Sequence, residues 1–259
     1  MAFTITGVSF SPNTVTDGLI FYVDAANPRS YISGSTTTYG LDVKYSGSLE
    51  NGVNFSNSSS GCWELDGVDD YISCGEGSTP SFTSSLDPQL NNFTVNCFFD
   101  INPGFGPTDQ GILISKGNHG SANIGWTMHY TANYSSIGVR CNGDNTTSQR
   151  AGQGLTFPLA SSTGSAHMLT MVIDRTNSKI LGYYNGSNDN FHAGHSGATS
   201  DDISGFGSII SPSALKIGRG SGFADWFGNI YLAQIYNRAL SADEVLQNYN
   251  ALKTRFGLT

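Results

Sequence analysis

The chain has 259 residues and a formal net charge of −8, from 12 Lys and Arg against 20 Asp and Glu. That balance leaves no basic stripe to neutralise phosphates or to dock on an anionic bilayer, which argues against nucleic acid and membrane as partners. No apolar run reaches the ~20 residues of a spanning helix. Only 12% of residues are charged, while 12% are aromatic and 32 are glycine, a composition of many short strands and turns rather than of disorder.

Residues 1–16, MAFTITGVSFSPNTVT, alternate weakly and contain Pro12. They are expected to form an arm able to add as an edge strand to a partner chain. They carry neither a basic n-region nor a long apolar h-region, so a secretory signal is not expected. Residues 17–259 read as one domain, without internal repeat or linker. Period-2 alternation recurs along it. GLIFYVDA sets Leu19, Phe21 and Val23 against Ile20 and Tyr22, and NFTVNCFFDI puts Phe93, Val95, Cys97 and Phe99 on one face. GILISK, GWTMHYT, SIGVRC, HMLTMVIDR, KILGYYNG, ALKIGR and NIYLAQIY follow. Asn51-Gly52, Asp66-Gly67, Asn142-Gly143 and Asn185-Gly186 punctuate them, dipeptides that tolerate the positive φ of tight turns. Val172 to Leu181 reads as one hairpin, and residues 100–110 and 186–208 read as long loops.

The end of the chain changes period. Ser241 followed by Glu244 is a capping box. Val245, Tyr249, Leu252 and Phe256 form one stripe of a helix over 241–256, with Gly257 as its C-cap. The helix is expected to pack on the sandwich. Four cysteines, Cys62, Cys74, Cys97 and Cys141, show no C-x-x-C spacing. Cys62 and Cys74 are placed to face each other across a hairpin, but buried free thiols are the expectation. N-x-S/T triplets such as Asn92-Phe93-Thr94 are expected by chance in so Asn-, Ser- and Thr-rich a chain.

Three stretches carry a resemblance: DGLIFYVDAANPRSY, LDGVDDYI and GNIYLAQIYNRALSADEVLQNYNALKTRFGL. They resemble laminin-G-like, concanavalin-A-like jelly-roll domains of the lectin/glucanase superfamily, in particular those carried by tailed bacteriophages as virion structural proteins. The similarity runs from Asp17 to Leu258. It implies an all-β fold, a two-sheet antiparallel jelly-roll sandwich with a short C-terminal helix. It also implies a non-enzymatic virion protein, as capsid decoration or in a tail or fibre appendage. Its partners would be other virion proteins and copies of itself, with host-surface glycan as a further ligand. Its place would be the virion, assembled in the host cytoplasm. The alternative is a lectin-like module that recognises host polysaccharide with the help of Ca²⁺.

CWELDGVDDYI, residues 62–72, gathers Glu64, Asp66, Asp69 and Asp70. Hydrolases of this fold carry an E-x-D-x-x-E pair on one continuous strand, with retaining carboxyls ~5–5.5 Å apart. Here the pattern ends in Asp69 and is interrupted by Asp66-Gly67, so catalysis is not expected. A Ca²⁺ site at Asp66, Asp69 or Asp70 fits the oxygen-rich chemistry of that ion. Where related domains have an acidic pair on the last strand, Tyr231-Leu232 stands instead. The favoured expectation is a hairpin turn whose Asp side chains bond nearby backbone N–H groups, with no cofactor, a structural Ca²⁺ remaining the alternative.

Other side chains are weighed likewise. His192-x-x-His195 lacks a third ligand. His167 heads a strand and is expected to bond backbone. Of Trp63, Trp126 and Trp226, the last lies in the Gly-rich GSGFADWFGN and is the candidate sugar platform. Arg238 is expected to anchor the strand-to-helix junction.

Overall fold

In a computed structural model the chain is described over residues 14–41, 45–58, 61–75, 86–105, 110–117, 124–131, 136–143, 150–156, 164–193, 201–220 and 224–258. The strands are β1 (Leu19–Asp24), β2 (Thr37–Tyr39), β3 (Ser46–Glu50), β4 (Asn54–Ser56), β5 (Cys62–Asp66), β6 (Tyr71–Gly75), β7 (Phe93–Phe99) and β8 (Gln110–Gly117). There follow β9 (Gly125–Thr131), β10 (Ser136–Asn142), β11 (Arg150–Thr156), β12 (His167–Asp174), β13 (Lys179–Tyr184), β14 (His192–Ala193), β15 (Leu215–Ile217) and β16 (Phe227–Tyr236). Helix α1 (Ala242–Lys253) and a 3₁₀ turn, Thr254–Phe256, close the chain.

Two antiparallel sheets result. One has seven strands in the order β13-β12-β7-β16-β5-β4, with β1 also on β16; the other has nine, β14-β11-β10-β9-β8-β15-β6-β3-β2. The long β16 makes this possible. Its first half pairs with β5 and its second with β1, while β7 runs along its other side. The expected all-β sandwich with one terminal helix is therefore present.

Alternation sorts the side chains. Phe93, Val95, Cys97 and Phe99 of β7 enter the core between the sheets, together with Trp126, Met128 and Tyr130 of β9. Phe98, Met168, Val172, Leu232 and Tyr236 point the other way, into a second cluster with Val245 and Leu252 of α1. β1 departs from strict alternation. A register shift between Leu19 and Phe21 puts Leu19 beside the helix cluster and Ile20 beside the main core, as a bulge does when it adds an unpaired residue.

The helix begins as expected. Ser241 Oγ accepts from Glu244 N–H and the Glu244 carboxylate accepts from Ser241 N–H, while Gly257 is left-handed at φ 68°. Arg238 anchors the junction with two bonds to Glu244, at 2.8 and 2.6 Å, and one to the Asp17 carbonyl at 3.0 Å. The β12–β13 hairpin forms with Asp174 opposite Lys179. The expected β5–β6 hairpin does not. β5 pairs with β4 and β16 in one sheet, β6 with β3 and β15 in the other, so the chain changes sheet at the acidic window. Cys62 and Cys74 thus belong to different sheets, and all four thiols are free and buried. Burial pushes those of Cys62, Cys74 and Cys141 up to about 12.

Candidate functional site

The acidic window is a tight crossover turn. Asp66 Oδ1 accepts from Val68 N–H at 2.8 Å and Asp69 N–H at 3.4 Å, and Asp70 Oδ2 accepts from Asp66 N–H at 3.2 Å. Gly67 has φ +75°, and a Cβ there would lie 2.7 Å from the Phe227 Cβ, so both conformation and space demand glycine. Carboxylate oxygens of Asp66, Asp69 and Asp70 lie within 4.8 Å of one another, Asp70 buried and the others exposed. Burial raises the Asp70 carboxyl, and the charges of Asp66 and Asp69 add to the rise.

These groups fit Ca²⁺ incompletely. The ion takes 6–8 oxygens, whereas Asp66 Oδ1 and Asp70 Oδ2 already accept backbone N–H groups. A fourth carboxylate, Asp225, pairs instead with Arg219 at 3.5 Å. Tyr231, standing where an acid would be required, donates to Asp100 at 2.8 Å. The bonds are those of an Asx-type turn.

Trp226 is not an exposed platform. It is 0% exposed, and its indole N–H donates to the Asp100 carbonyl at 3.1 Å. Phe99 meets it edge-on at 5.3 Å, with Phe105 at 5.8 Å. The Gly-rich composition that suggested an open loop serves close packing instead: Gly228, at φ +149°, passes against the Asp100 carbonyl and leaves no room for a side chain. Trp63 and Trp126 are likewise core residues. His192 is exposed and its Nδ1 meets the Asn190 carbonyl at 2.9 Å; its expected neighbour His195 lies outside the described residues. His167 does head β12, and its Nδ1 meets the Tyr184 hydroxyl at 2.7 Å.

A different surface is assembled by register. Thr37–Ser48–Ser73–Lys216–Ser115–Thr127–Arg140–Gly152 are successive cross-strand partners on β2, β3, β6, β15, β8, β9, β10 and β11. Core residues alternate with them, so the row lies on the outward face of the nine-stranded sheet. It holds hydroxyls and two cations and no carboxylate. Ser48 is exposed, Thr37, Ser73 and Lys216 are half-buried, and Ser115, Thr127 and Arg140 are buried. Beside it Tyr71 receives two cations over its ring, Lys216 Nζ at 5.1 Å and the Arg219 guanidinium at 4.9 Å. His129, next to Arg140, is held neutral, pushed down to about 3 by burial and by that guanidinium. None of these was singled out from the sequence. The off-phase Thr127 and His129 in GWTMHYT mark a polar face, but only pairing aligns the row.

Residues 66–246 match one family model, described as concanavalin A-like lectin/glucanases superfamily. The chain belongs to that superfamily. No curated protein sequence matches it. Among solved structures it is similar to the binding domain of Paraclostridial Mosquitocidal Protein 1, with TM-score 0.67 and 14% identity over 93% of this chain and 55% of that one. The receptor binding domain of botulinum neurotoxin D gives TM-score 0.65 and 12% identity over 90% of this chain and 52% of that one. Trypanosoma rangeli sialidase gives TM-score 0.62 and 12% identity over 93% and 34%. The chain thus spans about half the length of the toxin domains and a third of the sialidase, and the likeness is one of fold.

Proposed function

We propose that this superfamily member is a non-enzymatic structural and adhesion domain of a tailed-bacteriophage particle. It serves as capsid decoration or in a tail or fibre appendage, and takes host-surface glycan on the outward face of its nine-stranded sheet. The observation that carries the glycan reading is the accessible part of the cross-strand row, Thr37, Ser48, Ser73 and Lys216. At strand spacings of ~4.8 Å it lines up hydroxyl and ammonium groups that match the alternating donors and acceptors of a polysaccharide. The two neighbours are named a receptor binding domain and a binding domain, so this fold is compatible with a binding role.

The virion setting is supported by the resemblance of the opening, acidic and closing stretches to phage structural domains. A surface poor in charge and rich in Ser, Thr and Asn suits packing against other virion proteins and copies of itself. The non-enzymatic reading is supported by the acidic turn. Glu64 and Asp66 sit on a strand that ends at Asp66, and the Asp66 carboxylate is committed to two backbone N–H groups, an arrangement unlike an acid and nucleophile facing one bond.

A glycan array of bacterial surface polysaccharides tests the ligand. Binding is expected, and Lys216→Glu, in the open part of the row, abolishes it while the protein remains folded by circular dichroism. Binding that survives Lys216→Glu moves the ligand elsewhere; no binding at all leaves the structural role alone. Turnover of any bound polysaccharide, lost in Glu64→Gln, would overturn the non-enzymatic reading. Electron microscopy of an intact particle tests the setting, and a protein found only free of particles would sink it.

A further inference from the structure

Three carboxylates, Asp66, Asp69 and Asp70, meet where the chain changes sheet, and a fourth, Asp225 of the segment before β16, lies close enough to feel the charges of Asp69 and Asp66. Burial chiefly raises the Asp225 carboxyl, which is 7% exposed; the Arg219 guanidinium opposes that rise, and the charges of Asp69 and Asp66 add to it. So many like charges in one half-buried place need a counter-cation. We propose that Arg219 is that counter-cation, a tethered guanidinium that holds the turn closed and takes the charge-compensating role a divalent ion would otherwise have.

The position is built from several directions. Arg219 Nη1 donates to the Asp69 carbonyl at 3.2 Å, and Nε lies 3.5 Å from Asp225 Oδ1. The guanidinium rests on the Tyr71 ring. Its backbone is held as well: Ser115 Oγ donates to the Arg219 carbonyl at 2.9 Å, and the Gly218 carbonyl accepts from Trp226 N–H at 2.7 Å. Gly218 has φ +86°, with Leu65 packed where a side chain would stand, so residue 219 is aimed at the turn by a kink only glycine makes at no strain. A guanidinium is planar, permanently charged and suited to several oxygens at once. It therefore links the turn and the 218–226 segment, the two places that would otherwise have to share a metal. Lys216, also over the Tyr71 ring, adds a second positive charge nearby.

Calorimetric Ca²⁺ titration and melting with CaCl₂ or chelator test this on the full chain. The unmodified protein is expected to take up no Ca²⁺ at millimolar concentration and to melt unchanged with chelator. Arg219→Met, which keeps the apolar contact with Tyr71, is expected to melt roughly 2–4 °C lower, to recover on adding millimolar Ca²⁺, and to lose that recovery when Asp66→Asn is added. Arg219→Lys, which keeps a charge, melts close to the unmodified protein. Two results would overturn the proposal: Ca²⁺ uptake by the unmodified chain that Asp66→Asn removes, or an Arg219→Met protein whose melting neither falls nor responds to Ca²⁺. Glycan binding is read on the array and the counter-cation by the Ca²⁺ response of Arg219→Met, so failure of one leaves the other standing.

Discussion

The two sheets of this sandwich turn unlike faces outward. On the seven-stranded sheet, Phe98, Met168, Val172, Leu232 and Tyr236 are roofed by Val245 and Leu252 of α1, and the helix is latched at both ends by ion pairs, Arg238 to Glu244 and Arg255 to Asp24 at 2.8 Å. On the nine-stranded sheet the corresponding positions are Ser73, Lys216, Ser115, Thr127 and Arg140. Both faces come from the same period-2 pattern, but one is completed by the chain's own helix and the other presents polar groups. Burial energy is concentrated on the first side, and the proposed recognition belongs to the accessible end of the second.

The helix-covered side is not wholly apolar. Thr170, Asn96 and Gln234 are neighbours in one cross-strand row beneath α1, each 0% exposed, and only Asn96 Nδ2 to Gln234 Oε1 joins them, at 3.3 Å. Among the described residues Thr170 Oγ1, Asn96 Oδ1 and Gln234 Nε2 have no protein partner. Such groups weaken an interface that hydrophobic contact otherwise dominates, so each face contains a minor element of the other's chemistry.

Substitutions on the two sides should differ in their cost. The largest loss is expected inside the sandwich: Trp226→Ala removes a fully buried indole and orphans the Asp100 carbonyl, costing about 3–5 kcal/mol in urea unfolding. An unchanged midpoint would return Trp226 to the surface. Leu252→Ala, at the helix contact, is expected to cost about 2–5 kcal/mol, whereas Ser48→Ala, at the open end of the polar row, stays within about 0.5 kcal/mol. Equal effects would erase the distinction between the faces.

The helix latch carries a pH signature. The Arg238 guanidinium, with help from Ser241 N–H, holds the Glu244 carboxyl down to about 2, against roughly 4.3 when unfolded. Its stabilisation is therefore full above the unfolded value and lost as pH falls through the window from roughly 4.3 to about 2. Glu244→Gln should be less stable at pH 7 by about 1 kcal/mol, since the pair is partly solvated, and equal to the unmodified chain near the bottom of that window. A difference that persists there would place the effect in helix capping. One change has the opposite sign: Thr170→Val replaces an unpartnered hydroxyl by a methyl, and a gain of about 0.5–1 kcal/mol is expected. A loss would mean that the hydroxyl is bonded.

Much of the scaffold is legible in the residues. The core phase of β7, the β12–β13 hairpin, the Ser241–Glu244 capping box and the Arg238 anchor follow from spacing and side-chain chemistry within short windows. The Asx bonds of Asp66 were legible for the same reason, since donor and acceptor are two and three residues apart. Two readings failed where a window was too short. Asp66-Gly67 signals a turn but not which sheet each flanking strand joins, so a crossover looks like a hairpin. GSGFADWFGN looks open because glycine marks both loops and close packing, and only the approach of Asp100 and Phe99 shows which applies here.

The sequence by itself determined strand phase, turn positions, the terminal helix with its cap, and membership of a sandwich superfamily, because these depend on neighbours within a few residues and on composition. Tertiary structure alone decided the rest. It buried Trp226, separated Cys62 from Cys74, set Arg219 against the acidic turn, and aligned Lys216 with Ser115, Thr127 and Arg140. Those outcomes rest on strand register between segments far apart along the chain. Register is chosen by how two whole faces pack, which no local pattern of residues encodes.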